Sequence, residues 1–125
     1  MTLLREIYHC SVCGNVVEVV NEQAGELKCC EKPMNKLSAK KEDAGQEKHV
    51  PVVEETNGCI KVKVGSLEHP MLKEHHIKFI EVLTADQVHR AELKPGQKPE
   101  AKFCVKKSDV VEVREWCNVH GLWKV

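Results

Sequence analysis

Apolar and polar positions alternate along the C-terminal two-thirds of the chain, and turn residues separate the runs. From Cys59 to Val64 the period is two, with Ile60, Val62 and Val64 on one face and Cys59, Lys61 and Lys63 on the other, as in a half-buried strand. A second run, His49 to Glu55, precedes it, and the intervening Asn57-Gly58 is a hairpin signal. His76 to Thr84 is almost continuously apolar, which predicts a central strand. Val88 to Leu93 follows a turn at Ala85-Asp86, and Lys94-Pro95-Gly96 marks another turn. Ala101 to Val105 and Val110 to Trp116 read as two more strands, with a last short one at Gly121 to Val125. The result is about seven strands at the spacing of a β-sandwich. Ser66 to Glu74 has room for a short helical turn, limited by Pro70. No longer helical period, internal repeat or low-complexity segment competes.

The rest of the chain differs in character. Residues 1–36 carry four cysteines in one short hairpin-like stretch; residues 37–47 are polar and read as a linker; residues 48–125 hold the strand pattern and nearly all the histidines. A length of 125 residues accommodates a small domain and a compact second one. With five aromatic residues in all, the core must be built from Val, Ile and Leu. Acidic and basic residues balance at 19 each, which argues against nucleic acid or an anionic membrane as a partner. No apolar run approaches the length of a membrane span. The first residues carry Arg5 and Glu6 without a continuous apolar stretch, so they do not read as a signal peptide, and a cytoplasmic location is expected.

Seven cysteines and seven histidines change the picture. An odd cysteine count excludes complete internal pairing, and Cys with His in a reducing compartment points to metal. Cys10-Ser-Val-Cys13-Gly14 has knuckle spacing: two intervening residues let both sulfurs face one ion, and the glycine allows a tight turn. Cys29 and Cys30 supply a second pair. Neighbouring side chains on a strand point to opposite faces, so both bind one metal only if the backbone bends there, in a distorted site. On spacing alone a structural zinc knuckle is favoured over an electron-transferring iron. Some metal is required either way, because so short a region buries too little apolar surface to fold unaided.

A second constellation lies further on: His49, His69 before Pro70, His75 beside His76, then Cys117 and His120 before Gly121. A lone histidine is more often a core or surface residue than a ligand. These, however, fall in loops and at strand ends, where a sandwich collects functional side chains. Four imidazoles and a thiolate exceed the closed tetrahedron of structural zinc and leave a position open, which suits redox-active iron. A thiolate ligand donates electron density toward whatever binds opposite, as in thiolate-ligated haem. Lys48 adds a cation beside a ligand, and Glu47 a carboxylate able to reach an open metal position.

These residues carry a resemblance. Tyr8-x-Cys10-x-x-Cys13-Gly14-Asn15-x-Val17-Glu18-Val19 and Gly25-Glu26-Leu27-x-Cys29-Cys30 resemble the desulforedoxin-type domain of desulfoferrodoxins. Glu47-Lys48-His49-Val50-Pro51-Val52, Lys63-Val64-Gly65-x-x-x-His69-Pro70-Met71, Leu93-Lys94-Pro95-Gly96 and Cys117-Asn118-x-His120-Gly121-x-Trp123-Lys124 resemble the superoxide reductase domain of the same family. The resemblance covers nearly the whole chain. It implies an all-β protein, with a small rubredoxin- or desulforedoxin-like metal-knuckle domain followed by an immunoglobulin-like β-sandwich. It implies two non-haem irons, one on Cys10, Cys13, Cys29 and Cys30, where zinc is an alternative, and a catalytic one with His49, His69, His75 and His120 equatorial and Cys117 axial. Glu47 and Lys48 would be catalytic, Lys48 by drawing in the anion and Glu47 by occupying the resting ferric site. The implied activity is one-electron reduction of superoxide to hydrogen peroxide without oxygen release, a defence against oxidative stress, with a rubredoxin or similar small donor, in a homodimer. The four-cysteine iron would be an auxiliary electron-transfer centre. An electron carrier, a zinc-stabilised binding module and a dismutase are the competing readings. The sequence departs from the family at His76, where an aromatic residue is common, at Cys59-Ile60, where glycine and tyrosine are, and at a less glycine-rich Glu31-Lys32-Pro33. Cys59 and Cys104 match no ligand position and read as spare thiols in phase with neighbouring lysines.

Overall fold

The computed structural model describes residues 1–42 and 48–125. The chain divides into two compact units, Met1–Ser38 and Ala39–Val125. Both are built from antiparallel strands, as the alternating pattern predicts.

The first unit has five very short strands: β1 (Ile7–His9), β2 (Val16–Glu18), β3 (Lys28–Cys29), β4 (Lys32–Pro33) and β5 (Asn35–Lys36). They form a three-stranded sheet in the order β2-β1-β5 and a two-stranded ribbon β3-β4. Its buried apolar side chains are Ile7, Cys10 and Val19. Three such residues cannot offset the conformational entropy of ordering this stretch, as its length alone implied.

The second unit is the sandwich. Strands β6 (Pro51–Thr56), β7 (Cys59–Val64) and β10 (Glu100–Phe103) form one sheet in the order β10-β7-β6. Strands β8 (Ile77–Leu83), β9 (Val88–Glu92), β11 (Glu112–Cys117) and β12 (Gly121–Lys124) form the other, ordered β12-β11-β8-β9. All seven match runs read from the sequence, with ends shifted by a few residues. Asn57 and Gly58 make the two-residue turn of the β6–β7 hairpin, at φ 47° and 80°, the left-handed region that this pair tolerates best. Ile60, Val62 and Val64 face inward onto Ile77, Ile80, Val82, Val113 and Phe103, an aliphatic core as the composition required. The Ser66–Glu74 segment holds turns and bends and no helix. Pro70 interrupts it, and the His69 N–H is already bonded to the Val64 carbonyl at 3.0 Å.

The other face of the four-stranded sheet carries a charged row. Glu81, fully buried, accepts from Arg90 Nε at 2.8 Å and from Arg114 Nε at 2.7 Å, on the two strands flanking its own. One carboxylate between two guanidinium groups satisfies a charge that would otherwise be prohibitive to bury. Among the described residues no helix is long and apolar enough to cross a membrane.

Candidate metal centres

Cys10 and Cys13 lie in the loop that follows β1, and Gly14 turns the chain back at φ 85°, with its N–H bonded to the Cys10 carbonyl at 3.0 Å. The N–H groups of Val12 and Cys13 point at Cys10 Sγ, at 3.4 and 3.5 Å. The adjacent pair Cys29-Cys30 shows the bend that shared ligation needs. Cys30 and Glu31 form the two-residue turn between β3 and β4, both with positive φ, 53° and 62°. The sulfurs of Cys13 and Cys29 lie 3.6 Å apart and those of Cys29 and Cys30 4.0 Å apart, and all four cluster within 4.8 Å of one another. Four sulfurs at about 2.3 Å from one ion in a tetrahedron stand about 3.8 Å apart, so the spacing fits a four-thiolate metal. Protonation points the same way. The N–H groups of Cys13 and Val12 bring the Cys10 thiol down to about 6. The crowding of Cys13 and Cys29 pushes Cys30 up to about 12. Without a cation, thiolates so close together cannot all ionise.

The second cluster is assembled at one end of the sandwich. His49 precedes β6, His69 lies in the loop after β7, His75 lies just before β8, Cys117 ends β11, and His120 sits in the turn to β12. Because neighbouring strands are antiparallel, these starts and ends fall together: Pro51 pairs with Val64, and Cys117 pairs with both Ile77 and Gly121. A register shift between Trp116 and Cys117 re-aims the cysteine at the strand end, the use of bulges near functional sites.

Within the cluster, His49 Nε2 lies 3.0 Å from His120 Nδ1 and 3.2 Å from His69 Nε2. Cys117 Sγ is 3.6 Å from His69 Nε2 and 4.0 Å from His120 Nδ1. Two nitrogens held at about 2.1 Å from one ion and at right angles stand about 3.0 Å apart, so this spacing also fits a shared metal. The fifth donor, His75 Nε2, is buried and makes no hydrogen bond, an orphan that a metal would satisfy. His69 Nδ1–H donates to the Pro70 carbonyl at 2.6 Å, which leaves the Nε2 lone pair facing the cluster. Burial lowers His69 to about 4, and burial followed by the charges of His120, His76 and Lys48 lowers His75, so both are neutral ligands at ordinary pH. Burial pushes the Cys117 thiol up, against the pull of the His120 and Val119 N–H groups.

Every predicted ligand therefore falls in one of two groups: His49, His69, His75, Cys117 and His120, or Cys10, Cys13, Cys29 and Cys30. His76 stays out, its Nδ1 held by the Leu72 carbonyl at 3.1 Å. Lys48 is half-buried, close enough for its charge to act on His75. Glu47 lies outside the described residues. Sequence reasoning gave no role to Asn118 or Trp123. Asn118 Oδ1 accepts from the His76 N–H at 2.8 Å and its Nδ2 donates to the Glu74 carbonyl at 3.1 Å, clasping the His75 segment from both sides. Trp123 stacks on His49 with ring centres 4.6 Å apart and donates from Nε1 to the His120 carbonyl at 3.1 Å. The only sequence signal for either was its place in the Cys117-Asn118-x-His120-Gly121-x-Trp123 run.

Comparison with known proteins agrees over the whole length. Residues 41–125 match the family model for desulfoferrodoxin, and residues 2–37 that for the desulfoferrodoxin N-terminal domain. The desulfoferrodoxin homolog of Methanothermobacter thermautotrophicus is 54% identical over 123 residues, covering 98% of this chain and 99% of that protein. The homolog of Archaeoglobus fulgidus is 50% identical over 124 residues, covering 99% and 98%. The crystal structure of the superoxide reductase from Treponema pallidum matches with a TM-score of 0.79 at 30% identity over 96% of both chains. A four-cysteine group and a four-histidine, one-cysteine group in one chain are consistent with two iron sites. The chain belongs to the desulfoferrodoxin family.

Proposed function

We propose that this protein is a superoxide reductase. It combines superoxide with one electron and two protons to give hydrogen peroxide, and it releases no oxygen. The observation that carries this reading is the convergence of four imidazole nitrogens and one sulfur at one end of the sandwich, with His75 Nε2 buried and unpartnered. The superoxide reductase from Treponema pallidum supports it by sharing the fold over both units.

On this reading His49, His69, His75, His120 and Cys117 would hold the catalytic iron, whose ferrous–ferric couple would supply the electron. The imidazoles are pre-oriented, His69 by the Pro70 carbonyl and His49 by the Trp123 ring, so binding costs little reorganisation. Cys117 would be the one electron-rich thiolate in that ligand set. Lys48 Nζ provides a positive charge beside the site, raising the local concentration of the anionic substrate and orienting the water that delivers protons. Glu47, its neighbour in sequence, is assigned the carboxylate role in the resting site. Cys10, Cys13, Cys29 and Cys30 would hold the auxiliary electron-transfer iron. A rubredoxin or similar small protein is the electron donor, the protein acts as a homodimer, and its seven unpaired cysteines suit the reducing cytoplasm.

The deciding experiment reacts the reduced, metal-analysed protein with a pulse of superoxide and follows peroxide and oxygen together. One peroxide per superoxide with no oxygen is expected; oxygen evolution without a donor would make the protein a dismutase, and unchanged superoxide decay an electron carrier. Lys48→Ala should slow the bimolecular step and flatten its dependence on ionic strength. An unchanged rate constant in that variant removes Lys48 from the steering role.

A further inference from the structure

Two cysteines take no part in either metal group. Cys59 opens β7, and Cys104 directly follows β10. These strands pair antiparallel with Phe103 opposite Ile60, so continuing the register sets Cys104 opposite Cys59. Their sulfurs lie 2.8 Å apart, with the Cys59 S–H donating to Cys104 Sγ. Directly opposed residues on antiparallel strands have Cα atoms about 4.5–5.5 Å apart, within the range a disulfide spans, so bond formation needs no backbone rearrangement. Both residues lie outside the core, Cys59 half-buried and Cys104 exposed. Cys59 borders a shallow cavity with Gly58, Lys106, Lys107 and Ser108, which gives small solutes access to the pair. Cys59 lies five residues along β7 from Val64, so about 17 Å of strand separates it from the metal end of the sheet.

We propose that Cys59 and Cys104 form a second redox site, a surface dithiol that hydrogen peroxide converts reversibly into a disulfide. Cys104, the more exposed sulfur, attacks one peroxide oxygen; the O–O bond breaks, hydroxide leaves and takes up a proton to become water, and Cys104 becomes a sulfenic acid. The Cys59 sulfur then attacks Cys104 Sγ, forms the S–S bond and expels the second oxygen as water. Two thiols and one peroxide yield one disulfide and two waters, with two electrons passing from sulfur to oxygen. An exposed disulfide of this kind is open to dithiol reductants, which reset it by exchange. As a cellular event the inference rests on the proposed reductase activity, whose product is the oxidant. The chemistry of the pair does not.

The test adds stoichiometric hydrogen peroxide to the metal-loaded, thiol-reduced protein, traps residual thiols, and maps peptides without reduction. The expected product is a tryptic species joining His49–Lys61 to Phe103–Lys106, about 2 Da lighter than the sum of its reduced parts, and it disappears on treatment with dithiothreitol. In Cys59→Ser the link is lost, and Cys104 stops at the sulfenic acid, which a cyclic 1,3-diketone traps and which the parent protein does not accumulate. Two free, alkylated thiols after exposure, overoxidation of Cys104 in the parent, or disulfide-linked dimers through Cys104 would each overturn the proposal. Peroxide is supplied from outside, so failure to reduce superoxide would sink the functional reading and leave this result standing.

Discussion

The two metal-binding units solve the same problem in opposite ways. In Met1–Ser38 the buried apolar set is Ile7, Cys10 and Val19, and one of these is itself a ligand. In Ala39–Val125 a mainly aliphatic core packs between two sheets, and Cys117 is the single candidate ligand among its eleven buried residues. So small a buried set implies that the first unit needs its metal in order to fold, whereas the second is a fold that makes a metal site. The sharpest way to break this contrast is to strip both sites. Amide protection should then vanish throughout residues 1–38 and persist in β7, β8 and β11. Hydrogen exchange read by mass spectrometry checks it, and surviving protection in the first unit would show that its short strands hold without the ion.

If the sandwich stands on its own interactions, its stability should be sensitive to them and not to the iron. Glu81 is the most exacting case. Glu81→Ala takes away the carboxylate between the guanidinium groups of Arg90 and Arg114, leaves buried Arg114 the longer contact to Glu112 at 3.8 Å, and should cost about 3–5 kcal/mol in denaturant unfolding of the sandwich. A double variant with Arg114→Met should regain much of the loss, because it removes the buried charge that has lost its 2.7 Å carboxylate. Loss of iron with unchanged stability in Glu81→Ala would instead mean that the row serves the site.

The reverse dependence, of the site on the fold, can be measured through a residue that is not a ligand. Asn118 clasps the chain on both sides of His75 through the His76 N–H and the Glu74 carbonyl. Asn118→Ala should weaken iron binding at the catalytic site about 10–100-fold, the usual cost of removing a group that orients a ligand, while the four-cysteine unit keeps its metal. Competition with a chelator, followed by metal analysis, reads both sites together. Equal weakening at the two sites would contradict the idea that each is built by its own unit.

What could be read in advance divides along the same line. Strand β7 was legible to the residue because period-two alternation and the Asn57-Gly58 turn fix both its face and its end. The nine residues of the two clusters were legible because thiols and imidazoles in this spacing have few other uses, although choosing His75 over His76 and iron over zinc rested on family resemblance. The clasp by Asn118 and the stacking of Trp123 on His49 were not legible. Both depend on the β11–β12 turn and on the register shift at Cys117, which no local pattern encodes. Cys59 and Cys104 show the same limit. Their phase placed both on the lysine-bearing face, but which residue lies opposite which is set by the pairing of β7 with β10.

The smallest effect bears most directly on the metal-folded unit. Its β3–β4 turn places Cys30 and Glu31 in the left-handed region, where residues with a Cβ are disfavoured by about 1–2 kcal/mol each. At Cys30 the conformation has a use, since it lets two consecutive cysteines face one ion. Glu31 has no such use and follows only because a two-residue turn of this type requires positive φ at both positions. Glu31→Gly should therefore stabilise the metal-loaded unit by about 1 kcal/mol, and more weakly if the added freedom of the unfolded chain offsets part of the relief. The gain should appear as slower loss of metal to a chelator from the four-cysteine site and no change at the histidine site. A destabilised variant would place the strain elsewhere and assign the Glu31 side chain a contact that holds the turn.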